Sequence, residues 1–198
     1  MLNTDFDFII DLCLVIFLEK EGQILPAKTT KTISAKPVTL PLTIEEVTVK
    51  NKDSLEKIVV EEIWKIEGGL SVIGCEVPAD DNRIVDILCH DNNGQLVVLM
   101  MSINEDDAIL FEGLQTLNEV NRVRQMLKYF NKDQKINDKE PARLILVAPS
   151  FSTNLLTIAN GLSTVRMSFY EWEYLQFGDN KALRVTPISS SEALKDRK

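Results

Sequence analysis

Two apolar runs joined by Asp91-Asn92-Asn93-Gly94-Gln95 constrain this chain more than any other feature. Arg83–Cys89 and Leu96–Ile103 have the length and the Val/Ile/Leu content of strands. A three-residue loop Asn92-Asn93-Gly94 suits a type I turn followed by a left-handed residue, and Gly94 stands where that conformation is needed. The turn fixes the register, so Asp91 is expected opposite Gln95 and Asp86 opposite Met100. Cross-strand partners share a face and side chains alternate along a strand, which puts Asp86, Met100 and Ser102 on one side. Asp86 sits among Ile84, Val85, Ile87 and Leu88. A carboxylate there is costly unless it is paired or functional. The plain alternative is a buried, hydrogen-bonded structural aspartate, or an exposed one on an open sheet face.

The segments around this hairpin set the fold class. Asp53 or Ser54 can cap a helix reaching about Ile66, with Glu56 in its first turn and Gly68-Gly69 as the stop. Leu70–Val77 is a further strand candidate. Over Ala108–Phe130, Phe111, Leu114, Leu117, Val120, Val123, Met126/Leu127 and Phe130 recur every three or four positions, which predicts a long helix. Arg143–Val147 is a compact apolar strand. Ser152 or Thr153 caps a helix to about Gly161, Val165–Phe169 and Leu183–Ile188 read as strands, and Glu171–Gly178 reads as a helical turn. This order predicts an α/β domain with a mixed sheet. Pro26, Pro37 and Pro41 among Lys28, Thr29, Thr30, Lys31 and Thr32 mark a linker. The expected organisation is an apolar segment and linker over 1–43, a folded body over 44–188, and a polar tail over 189–198.

Charge and cysteine usage narrow the function classes. With 22 basic and 30 acidic residues the net charge is −8, which disfavours nucleic acid and anionic membranes as partners. The cysteines Cys13, Cys75 and Cys89 form no CxxC pair, and His90 is the only histidine, so a zinc site is not expected. Reduced, mostly buried thiols in a cytoplasmic protein are the expectation, with His90 on the surface at a strand end. The apolar run Phe8–Leu18 has Asp5, Asp7 and Asp11 where a signal peptide carries basic residues, and it is too short to span a bilayer. It reads as a strand or short helix that docks on the chain's own sheet or on a second subunit, giving a homodimer.

The ordered set Leu55–Val60, Ile66-Glu67-Gly68-Gly69-Leu70, Arg83–Leu99, Arg124–Tyr129 and Leu144–Pro149 resembles the PD-(D/E)XK nucleases. Within that superfamily it is similar to the C-terminal domains of mismatch- and branched-DNA endonucleases, over about residues 53–150. The resemblance implies a restriction-endonuclease-like mixed sheet flanked by helices. It also implies a magnesium site in which a strand Asp and the Glu of E-x-K hold the metal while the Lys serves the attacking water. Asp86 matches the first position. Met100 falls on the Glu position and Ser102 on the Lys position, and neither supplies the needed chemistry. Gln125 and Tyr129, one helical turn apart, match the Q-LRY element that faces such a site.

Three functions therefore stand open: a non-catalytic binding or assembly module with no cofactor, a magnesium-dependent nuclease with migrated acids, and a domain whose ancestral site is irrelevant. The migrated acids would come from Glu62 (or Glu61) on the first helix, Glu76 one strand earlier, or Glu105, Asp106, Asp107 and Glu112 after the strand. The bland reading of the last four is a solvated helix start that favours the helix dipole.

Overall fold

The computed structural model describes residues 43–80 and 83–188. The apolar run Phe8–Leu18, the linker, Cys13 and the tail from Ser189 lie outside the described residues, as does the expectation that the N-terminal segment dimerises.

Continuous apolar runs place two strands in the middle of the sheet. Every residue of β4 (Leu96–Met101) and β5 (Arg143–Ala148) is buried, as expected of strands covered on both faces. In chain order the other elements are β1 (Ile44–Glu46), α1 (Lys52–Glu61), β2 (Ser71–Asp80), β3 (Arg83–His90), α2 (Ala108–Phe130), α3 (Thr153–Gly161), β6 (Met167–Phe177) and β7 (Asn180–Ile188). A single 3₁₀ turn, Ile63–Lys65, follows α1. β2, β3 and β4 form an antiparallel meander, and β5 and β6 continue it in parallel. β7 covers one edge of β6, while β5 and β1 share its other edge at different heights. The seven strands make one mixed sheet. The α/β core expected from the sequence, a mixed sheet flanked by helices, is present.

Alternation along β4 divides the core. Leu96, Val98 and Met100 face α2 and α3, where they pack with Ile109, Leu117, Val120, Leu155 and Leu156. Val97, Leu99 and Met101 face the opposite layer, with Leu55 and Val59 of α1 and Trp172 and Leu183 of the β6–β7 hairpin. Gly113 lets α2 approach the sheet closely, since a Cβ there would lie 3.1 Å from Leu144 and Leu146 methyls. The hairpin turn forms as its residues dictate. Gly94 has φ 82°, its N–H donates to Asp91 O at 2.9 Å, and Asp91 N–H donates to Gln95 O at 3.0 Å. A side chain at Gly94 would also strike Lys135 O at 2.5 Å.

Four expectations are corrected. The cap of α1 is Asn51, whose Oδ1 accepts from Ser54 N at 2.9 Å, and the helix ends at Glu61. The earlier start brings Lys52 into the first turn. Glu171–Gly178 is not a helical turn: β6 runs unbroken to Phe177, because Trp172 and Tyr174 pack on the α1 layer and the intervening Glu173 pairs across the ladder with Arg184. Cys75 is exposed, on an edge strand, while Cys89 is buried and its thiol is pushed up to about 12 by burial. His90 ends its strand but is buried, with Nδ1 2.9 Å from Asp91 O and Nε2 3.1 Å from Gln134 Oε1.

Candidate functional site

The antiparallel ladder between β3 and β4 pairs His90 with Leu96 through Ile87 with Leu99 and stops there. Asp86 is the next residue, and continuing the register would place it opposite Met100. Its side chain takes over the broken ladder: Asp86 Oδ2 accepts the Met101 N–H at 2.6 Å. The other neighbour is irregular at the same level. Cys75 pairs with Ile87 and Val77 with Val85, so Glu76 lies across from Asp86, and Glu76 has φ 48°. A left-handed conformation at a residue with a side chain costs about 1 kcal/mol. Asp86 thus occupies a local opening in the sheet that both helix layers can reach.

Lys52 enters this opening from the first turn of α1, and its Nζ lies 2.8 Å from Asp86 Oδ1. A lysine at a helix N-terminus opposes the helix dipole, so a carboxylate partner is what stabilises it there. Around the pair, Asp53, Glu56, Glu76, Ile84, Met100 and Glu112 line a cavity of about 240 Å³. A second cavity of about 360 Å³ shares Ile84, Met100 and Glu112 and continues along α2 to Arg83 and Gln115. Burial raises the Asp86 carboxyl above the usual carboxylate range, Lys52 and the Met101 N–H oppose it, and Glu76 adds to it. Glu56 is also raised, by burial and then by Glu76, although the Cys75 thiol hydrogen-bonded to it pulls the other way.

The expected site residues divide. Asp86, Met100, Glu76 and Glu112 meet at this cavity. Ser102 does not line it: the residue has left the strand, its N–H donates to Val147 O, and its Oγ donates to Asn104 O at 2.7 Å. Gln125 and Tyr129 are exposed near the far end of α2. At 1.5 Å per residue they stand about 20–25 Å from Glu112 along the helix axis. Glu62 pairs with Lys65 beyond the other end of α1, about 15 Å from Lys52 by the same measure. Glu105 accepts from Ser150 Oγ at 2.5 Å and Asp107 from Ser152 Oγ at 2.6 Å. Glu105 and Asp107 thus tie the start of α2 to the loop after β5, while Asp106 accepts the Ala108 N–H at 2.9 Å within the helix start. Sequence reasoning missed Lys52 and Glu56. The available signal was a lysine where an acidic residue is electrostatically favoured.

These residues do not fit a divalent cation. Both Asp86 oxygens are engaged, by an ammonium and by a backbone N–H. The position expected to carry the second hard ligand is the Met100 thioether, which is soft. Among the described residues no group of three His, Cys, Asp or Glu side chains is arranged to hold a metal ion.

No family model matches the chain, and no curated protein matches it. Among solved structures it is similar to a repair endonuclease from Pyrococcus abyssi, at 23% identity over 62% of this chain and 47% of that chain, with a TM-score of 0.41. It is also similar to EndoMS in a double-stranded DNA complex (21% identity, 64% of this chain, 47% of that chain, TM-score 0.40). The apo form of EndoMS matches at 18% identity over 63% of this chain and 48% of that chain, with a TM-score of 0.38. The match spans about half the length of those proteins. Among the described residues no helix is long and apolar enough to cross a membrane.

Proposed function

We propose that this domain is a non-catalytic binding module on a nuclease-type fold, in which a lysine of the chain itself takes the place of a metal ion. The observation that carries the reading is the contact between Lys52 Nζ and Asp86 Oδ1 at 2.8 Å. A buried carboxylate needs a positive partner. In this chain an ammonium on α1 supplies it, so the carboxylate is neutralised without an exchangeable ion. Met100 and Ser102 support the same reading, because the soft Met100 thioether is a poor magnesium ligand and Ser102 has no charge to offer a phosphate.

A second reading has its own observation. Glu56, Glu76 and Glu112 line the Asp86 cavity, so acids from three elements surround it, and their side chains would have to move together to hold a metal ion. Incubation of supercoiled plasmid, linear duplex and single-stranded oligonucleotides with magnesium or manganese separates the two readings. The expected result is no cleavage above background. Metal-dependent cleavage that disappears in Asp86→Ala overturns the proposal and makes the acidic cavity an active site.

A further inference from the structure

Among the described residues, the segment with the highest net positive charge lies at the far end of α2, away from the acidic cavity. Residues 121–140 carry six basic and three acidic side chains, a net charge of +3, in a chain whose total is −8. The remaining residues therefore sum to −11. Within the same segment stand large apolar side chains that nothing covers among the described residues: Met126 is 53% exposed, Tyr129 64% and Phe130 72%. Spacings of three and four residues put them side by side on the helix surface. The two rings lie edge to face with centroids 5.4 Å apart, and Lys132 Nζ lies 4.7 Å from the Tyr129 ring centroid.

We infer that this end of α2 binds single-stranded nucleic acid, with unpaired bases stacking on Tyr129 and Phe130 and backbone phosphates taken up by the surrounding lysines. Rings this exposed protrude, and a protruding ring offers a π face to an unpaired base that a duplex keeps inside its stack. Net charge is a poor guide here, because a phosphate backbone responds to local charge within about 10 Å at ordinary salt. Charge complementarity selects a polyanion, and the paired rings select one with stackable groups. The surface is about 20–25 Å along α2 from Glu112, so binding here is independent of whether the acidic cavity cleaves anything.

The test is fluorescence anisotropy of a labelled oligothymidylate about 20 nucleotides long, in chelator, against the full chain. Binding is expected to fall several-fold between about 50 and 200 mM salt. A duplex of equal length should bind at least about fivefold more weakly, and Tyr129→Ala with Phe130→Ala should reduce affinity about tenfold or more. Both side chains are exposed, so the thermal midpoint should stay within a few degrees. Trp64→Ala, which removes an exposed aromatic from the 3₁₀ turn after α1, should leave binding unchanged. No binding at tens of micromolar, equal binding of duplex, or an unaffected double variant overturns the inference. Displacement of the oligonucleotide by polyglutamate at equal charge concentration also overturns it, and assigns the surface to an acidic polypeptide.

Discussion

Glu67 and Asp86 are each held by one cation from a distant part of the chain, and the two are satisfied in opposite ways. Arg143, at the start of β5, is buried, and its guanidinium grips Glu67 with two bonds, Nη1 to Oε1 at 3.0 Å and Nη2 to Oε2 at 2.6 Å. Tyr170 Oη donates to Glu67 Oε1 at 3.1 Å, and burial beside this charge pushes the phenol up to about 12. Asp91 Oδ2 lies 3.9 Å from Arg143 Nε, which has no hydrogen-bond partner among the described residues. This network pins the turn after α1 to β5 and β6. Asp86 has a single ammonium whose side chain is 47% exposed, and it shares a cavity with four further carboxylates, Asp53, Glu56, Glu76 and Glu112. The first arrangement closes a piece of the fold. The second leaves a charged group beside open space, with its ionic form opposed by burial and by Glu76 and favoured by Lys52 and the Met101 N–H. Two acids of one sequence pattern thus have different duties, and the partner's geometry tells them apart.

That contrast can be broken by substitution. Arg143→Ala should be the most damaging change, because it leaves Glu67 charged with only Tyr170 as donor; a loss of about 3–5 kcal/mol in urea unfolding is expected. A loss under about 1 kcal/mol would mean that the network does not anchor the fold. Asp86→Ala should cost less, about 1–3 kcal/mol, through the stranded Met101 N–H. Asp86→Asn keeps an acceptor for that N–H and returns Lys52 to water, so its stability should lie within about 1 kcal/mol of the parent. If the two Asp86 variants were equally destabilised, the ion pair rather than the hydrogen bond would hold the opening together.

The smallest expected effect is on pH dependence. Asp86 and Glu56 titrate above the usual carboxylate range in the folded chain. An acid raised on folding weakens the fold while ionised, and the weakening is relieved as pH falls through its folded value. Relative to Asp86→Asn, the parent should therefore gain stability on acidification from about pH 7 towards the upper edge of the carboxylate range, by roughly a few tenths of a kcal/mol up to 1. A parent that instead loses stability relative to the variant over that interval would show that Lys52 outweighs burial and lowers the carboxyl. Asp138, lowered chiefly by its hydrogen bond with Lys128, is common to both proteins and cancels in the difference.

What could be read from the residues was the part governed by neighbours in sequence. The Asp91–Gln95 turn, the Asp86–Met100 juxtaposition, both boundaries of α2 and the Ser152 cap of α3 follow from turn chemistry, periodicity and capping, which act within a few residues. β6 did not follow, because Glu171 and Glu173 break an apolar run and only their partners on β7 make an extended strand favourable. Gln125 and Tyr129 illustrate the same limit. Their spacing shows that they share a helix face, but which end of α2 meets the cavity is set by how the helix crosses the sheet.

The sequence by itself determined the α/β order, the hairpin register and the residue types, Met100 and Ser102, that follow Asp86 across the hairpin, since each is a matter of residue type at short range. The tertiary structure alone decided how the Asp86 carboxylate is satisfied. Whether Asp86 would face water, a metal or a cation of the chain depended on where the first turn of α1 came to rest, 34 positions away in the sequence. Packing of Leu55 and Val59 against the sheet fixed that position and brought Lys52 to Asp86. Electrostatic partnership is a property of distance in space, and no local pattern encodes it.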